Sequence, residues 1–107
     1  MTYPTLTESF TYVLLALTEP MHGYGIKQKV ERLSGGRVSL GPGTLYGAIT
    51  NLSDKGWIVE RESIGERRRV YALTDKGFEA LRHETRRLEE LLANCHAQLA
   101  RAGEESP

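Results

Sequence analysis

The sequence lacks nearly everything that would mark a secreted, membrane or metal-dependent protein. Its single cysteine, Cys95, excludes an internal disulfide framework and fits a reducing compartment. No apolar run exceeds Val13-Leu14-Leu15-Ala16-Leu17, far short of the roughly 20 residues that span a bilayer. Met1 to Ser9 contain neither Lys nor Arg, so the cationic start of a secretory signal is missing and a cytoplasmic location is expected. An excess of one charge is lacking too, because 14 Lys and Arg meet 14 Asp and Glu. Only local placement of cations can therefore attract a polyanion. Residues 1–73 carry nine basic and seven acidic side chains, residues 74–107 five and seven, so a net +2 precedes a net −2.

Catalytic sets are missing as well. Gly36 and Gly41 have phosphate-loop spacing, but Pro42-Gly43 stands where Lys and Ser or Thr are required. There is no Gly-x-Ser-x-Gly elbow. Cys95 and His96 are neighbours on a helix and point about 100° apart, which keeps them from sharing a metal. His22 and His83 have no cysteine or close carboxylate at ligand spacing, and His22, ahead of Gly23, reads as a turn or capping residue. Neither an enzyme nor a bound cofactor or metal is expected.

What remains is one small domain of 107 residues, 39% apolar and 26% charged. Phe10, Val13, Leu14 and Leu17 form the i, i+3, i+4, i+7 stripe of an amphipathic helix over 6–18, with Thr5 and Glu8 as a capping box and Pro20 as its stop. Ile26, Val30 and Leu33 mark a second helix that ends at Ser34-Gly35-Gly36. Residues 37–40 have the composition of a short strand. Gly41-Pro42-Gly43-Thr44 opens a third helix with Leu45, Ala48, Ile49 and Leu52 on one face, proline suiting a first helical turn. Residues 57–62 and 69–73 are β-rich and flank a polar turn containing Gly65, the pattern of a hairpin. Thr74 is an N-cap for a last helix over 75–101. The expected fold is mainly α with a small β hairpin. It is a winged helix-turn-helix plus a long C-terminal dimerisation helix. Residues 1–74 form the DNA-binding domain, 75–101 the dimerisation helix and 102–107 a flexible tail.

Three constellations point to double-stranded DNA. With its apolar residues inward, the third helix turns Gly43, Thr44, Tyr46, Gly47, Thr50 and Asn51 outward, a small and hydrogen-bonding face suited to a major groove about 12 Å wide. Asp54 is unfavourable there and is expected to sit away from the phosphates. Arg67, Arg68 and Arg69 are three cations in a row at the hairpin, placed to reach a phosphate backbone or a minor groove. Lys27, Lys29, Arg32 and Lys55 are further candidates for phosphate contact. In the last helix Phe78, Leu81, Thr85, Leu88, Leu92, Cys95 and Leu99 recur at alternating steps of three and four, a heptad seam, and Leu91 widens it. At 1.5 Å per residue a helix over 75–101 is about 40 Å long, more than this domain covers alone. The early seam residues are expected to pack inward. The later ones pack across a homodimer, which would present two recognition helices to a pseudo-palindromic operator.

Three stretches resemble the PadR family of bacterial transcriptional regulators: His22-Gly23-Tyr24-Gly25-Ile26, Gly41 to Ile49 with its Gly-Thr-Leu-Tyr core, and Arg67 to Gly77. The single last helix looks like the smaller subfamily. The resemblance implies a winged-helix repressor dimer joined through its fourth helix. It also implies that Tyr24, Ser39, Thr44 and Tyr46 lie at or beside the DNA surface, and that a small aromatic or drug-like effector relieves repression. This chain departs from relatives that stack ligands on a tryptophan of the fourth helix, because Trp57, its only one, starts the wing and reads as a packing residue. Two other readings of the pattern are a winged-helix protein-interaction adaptor without DNA binding, which zero net charge favours, and a small ligand- or haem-binding dimer.

Overall fold

Thr7, and not Thr5, starts the first helix. In the computed structural model, which describes residues 3–61 and 69–103, the Thr7 hydroxyl accepts the Phe10 N–H at 3.2 Å and caps α1 (Glu8–Ala16). The expected capping box of Thr5 with Glu8 does not form. The Leu17 N–H reaches the carbonyls of both Val13 and Leu14, which tightens the last turn ahead of Pro20. The stripe behaves as its spacing requires, with Val13, Leu14 and Leu17 buried and Phe10 packed against the core.

Helix α2 (Gly23–Leu33) is capped by His22, whose Nδ1 accepts the Gly25 N–H at 3.1 Å, and α3 (Pro42–Asp54) carries proline in its first turn after the N-cap Gly41. The strands are β1 (Met21–His22), β2 (Ile58–Arg61) and β3 (Val70–Leu73), in the antiparallel order β1-β3-β2. Strand β1 pairs Met21 with Tyr71 and His22 with Val70. The short strand expected over residues 37–40 does not form. Val38 and Leu40 are buried all the same. Their loop is held by Ser34, whose Oγ accepts the Val38 N–H at 3.0 Å and donates to its carbonyl at 3.3 Å. A side chain supplies the pairing that a neighbouring strand would otherwise give.

The expected hairpin of β2 and β3 forms, with a register that runs from Ile58 opposite Leu73 to Arg61 opposite Val70. Tyr71, Ala72 and Leu73 are all buried, so strict alternation fails on this central strand, which has neighbours on both edges. Arg67, Arg68 and the turn at Gly65 lie outside the described residues, as do positions 104–107 of the expected tail.

Helix α4 (Asp75–Ala102) begins at Thr74, whose hydroxyl accepts the Gly77 N–H at 3.1 Å and donates to the Gly56 carbonyl at 2.6 Å. Gly77 is there because nothing larger fits: a Cβ would stand 2.0 Å from the Trp57 carbonyl oxygen. The helix ends at Gly103, whose φ of +74° is left-handed. The core of Leu14, Leu17, Ile26, Val30, Leu40 and Leu52 lies between the three short helices and the sheet, with Trp57 also buried. A chain of this length packed as a sphere has a radius of gyration of about 13 Å. The observed 16.3 Å, with a longest extent of 58 Å, reflects α4 running far beyond that core.

Candidate nucleic-acid interface

Helix α3 divides cleanly. Leu45, Ala48, Ile49 and Leu52 are buried, whereas Gly43, Thr44, Tyr46, Gly47, Thr50 and Asn51 are exposed. A Cβ added at Gly43 or Gly47 would meet no heavy atom within 4 Å, so packing does not demand glycine at either position. Gly41 provides no side-chain cap, and the first N–H groups of a helix without one are donors suited to an anion. Asp54 is exposed at the C-terminal end of the helix, remote from its N-terminus.

The N-terminal part of α2 lies beside this face. A Cβ at Gly23 would come 3.1 Å from the Tyr46 hydroxyl oxygen, so Tyr46 rests on α2 through a glycine while remaining 54% exposed. Tyr24 is the neighbouring exposed aromatic at 62%. Lys27 and Ser39 are not free. The Lys27 Nζ and the Ser39 hydroxyl both donate to Oε1 of Glu31, each at 2.9 Å. These bonds hold the Glu31 carboxyl below the ordinary glutamate value, Lys27 being the larger cause, and the bond to Glu31 raises the Lys27 ammonium above its own. The i, i+4 spacing of Lys27 and Glu31 was visible in the sequence; the bridge to Ser39, eight residues on, was not.

Other cations behave alike. Lys29 donates to Glu19 at 2.7 Å and to the Ala16 carbonyl at 3.3 Å, and Arg37 pairs with Glu8 at 2.8 Å. Arg69 is exposed on the wing, 3.5 Å from Glu60 of the adjacent strand. Arg32 is exposed, and Lys55 lies over the Trp57 ring at 5.7 Å.

The seam on α4 changes character along its length. Phe78 and Leu81 pack against the core. Thr85 is exposed and returns its hydroxyl to the Leu81 carbonyl at 2.8 Å. Beyond it Leu88, Leu91, Leu92 and Leu99 are 42%, 51%, 56% and 41% exposed, and Cys95 is exposed with them. Such a row of large apolar side chains on one protomer marks an interaction surface. Glu84, which the sequence reading passed over, is buried and bonded to Arg87, whose guanidinium it raises further. Glu84, Arg87 and Leu88 face Glu8, Thr11 and Tyr12 across a cavity of about 350 Å³ between α1 and α4. Among the described residues no group of three or more His, Cys, Asp or Glu is arranged to hold a metal ion, and no helix is long and apolar enough to cross a membrane.

Comparison with known proteins agrees with this arrangement. The family model of PadR-like transcriptional regulators matches residues 13–83. The transcriptional regulator Rv3488 of Mycobacterium tuberculosis is 40% identical over 78 residues, spanning 71% of this chain and 70% of that protein. A 37.1 kDa protein of the Streptomyces fradiae transposon Tn4556 is 45% identical over 73 residues, but the match spans 67% of this chain and only 20% of that one. Among solved structures, a PadR family regulator from Eggerthella lenta superposes with a TM-score of 0.70 at 26% identity, covering 90% of this chain and 81% of its own. The winged-helix DNA-binding protein F93 of STIV shares the fold, with a TM-score of 0.67 at 18% identity over 77% of this chain and 88% of its own. Three helices, a β-ribbon wing and a long terminal helix, joined to these matches, show that the chain belongs to the PadR-like family of transcriptional regulators.

Proposed function

We propose that this regulator works as a two-fold dimer that inserts residues 43–51 of each α3 into successive major grooves of a pseudo-palindromic operator. The observation carrying this reading is the outer face of α3. Gly43, Thr44, Gly47 and Thr50 are all exposed, and the two glycines leave open space where a base edge or phosphate can approach the backbone. Tyr24 and Tyr46 flank that face, and Arg69, with Arg67 and Arg68 before it, supplies the wing's contact with the backbone or minor groove. Residues 1–74 form the DNA-binding unit and the helix from Asp75 the dimerisation unit, through Thr85, Leu88, Leu91, Leu92, Cys95 and Leu99, with Leu81 at its inner end. The protein acts in the cytoplasm, where its DNA is.

The regulator is a repressor, and a small aromatic or drug-like molecule relieves it by changing the separation of the two heads. The cavity between α1 and α4 supports this, because it lies where a bound molecule would move one helix against the other.

Footprinting on the DNA immediately upstream of the encoding gene tests the reading. Protection of two half-sites about one helical turn apart is expected. Thr44→Ala with Tyr46→Ala should abolish the footprint while leaving the dimer intact. A double variant that still protects the same bases would refute the assignment of α3.

A further inference from the structure

Four cations of the head are not presented bare. Lys27, Lys29, Arg37 and Arg69 each face a carboxylate of their own chain, namely Glu31, Glu19, Glu8 and Glu60. Glu31 differs from the rest in place and in partners. It stands on the α2 stripe that includes Tyr24 and Lys27, and its Oε1 accepts from Lys27 on that helix and from Ser39 in the loop leading to α3. Those two donors, an ammonium and a hydroxyl converging on one anionic oxygen, are what a phosphate oxygen would recruit. The pair is half-exposed, so a polyanion can reach it.

We infer that Glu31 is a specificity gate: an internal carboxylate that occupies the phosphate-binding donors Lys27 and Ser39 until a correctly docked duplex displaces it. This rests on the reading of α3 as the DNA-contacting helix. Non-specific binding is almost wholly cation–phosphate attraction, with one counterion's worth of salt dependence gained per phosphate engaged. A lysine already neutralised by its own chain contributes nothing to that attraction, and the nearby carboxylate repels the backbone. Only a duplex whose base contacts with α3 offset the lost Lys27–Glu31 and Ser39–Glu31 bonds draws the donors over. Glu31 therefore suppresses binding to bulk DNA more than binding to the operator, a repulsive element that sharpens discrimination. It also explains how a chain with no net charge selects among duplexes that all carry the same phosphates.

The test measures binding of the full-length dimer to a labelled random-sequence duplex of about 30 base pairs, long enough for two half-sites, across a series of salt concentrations. Glu31→Gln should bind it roughly five- to tenfold more tightly at low salt, with a log–log salt slope steeper by about one. The gain should disappear in the double variant Glu31→Gln with Lys27→Ala. Glu31→Ala guards against a glutamine that still retains the lysine, and circular dichroism checks that each variant is folded. Affinity for the upstream DNA of the encoding gene should rise less, so the specific-to-random ratio falls. Unchanged or weaker random-duplex binding by both Glu31 variants, with the wild type binding normally, overturns the gate alone. Loss of random-duplex and upstream binding by wild type and variants together overturns the DNA reading, and the gate with it.

Discussion

Two glycines carry opposite instructions at the scale of a single residue. At Gly77 an added methyl would collide with the Trp57 carbonyl at 2.0 Å, between two segments that cannot separate without breaking the Thr74 to Gly56 bond. Gly77→Ala should therefore cost about 1–3 kcal/mol, read as a lower denaturation midpoint. At Gly47 the same change meets open space in the middle of a helix, and Ala there should stabilise the chain by about 0.5–1 kcal/mol. If Gly47 serves the approach of DNA, Gly47→Ala gains stability and loses operator affinity together; a variant that gains both would remove Gly47 from the interface. The Glu31 carboxyl makes a third residue-level prediction. Its lowered value means that its pairing stabilises the fold fully above the ordinary glutamate value of about 4.3 and is lost as pH falls through the lowered one. Lys27, raised, keeps its share below its own ordinary value and loses it as pH climbs past the raised one. Carboxyl carbon shifts followed by NMR should show Glu31 titrating below that ordinary value in the wild type, and at it after Lys27→Ala and Ser39→Ala.

At the scale of elements, α4 depends on its cap and leaves the large apolar side chains of its far half exposed. Thr74→Ala removes both the acceptor for Gly77 and the donor to Gly56 and should cost about 1 kcal/mol. Leu92→Asp disturbs little packing inside the protomer, since Leu92 is 56% exposed there and stands outside the core cluster. It should leave the helical spectrum nearly unchanged and convert the species seen by sedimentation from dimer to monomer. A dimer that survives Leu92→Asp would exclude this face of α4 from the interface. Elements with repeated period were legible in advance: the stripe of α1, the split face of α3, and Thr74 ahead of α4. Strand β1 was not, because two residues hold no periodicity and their pairing with β3 lies about 50 positions away in sequence. Residues 37–40 misled for the converse reason. Val38 and Leu40 alternate inward as a strand's residues do, but Ser34 satisfies the backbone that a strand would have paired.

For the whole molecule, the proposed dimer would make folding and association one problem. The core around Leu14, Leu52 and Trp57 belongs to the head, while Leu88, Leu91, Leu92 and Leu99 of α4 are exposed and would be covered in the proposed dimer. Thermal stability should accordingly rise with protein concentration, and that dependence should vanish in Leu92→Asp. A midpoint independent of concentration in the wild type would mean that the protomer is stable alone. Zero net charge is likewise a property of the whole. Carboxylates drawn from α1, α2 and β2 pair with Arg37, Lys27 and Arg69 of the head, and no single segment reveals all of those pairings.

Local chemistry alone was enough to decide which face of α1 and of α3 is buried, where α3 and α4 begin, and that a hairpin follows α3, although Leu33, on the apolar stripe of α2, is 47% exposed. Those outcomes depend on neighbours within a turn or a strand, so the one-dimensional order already contains them. Only the tertiary structure decided that β1 joins the wing, that Gly77 must be glycine, that Glu84 is buried beside Arg87, and that Glu31 holds Lys27 and Ser39. Each of these depends on atoms brought together by the packing of separate elements. Hydrogen bonding and exclusion act over a few ångströms in space, whatever the distance along the chain.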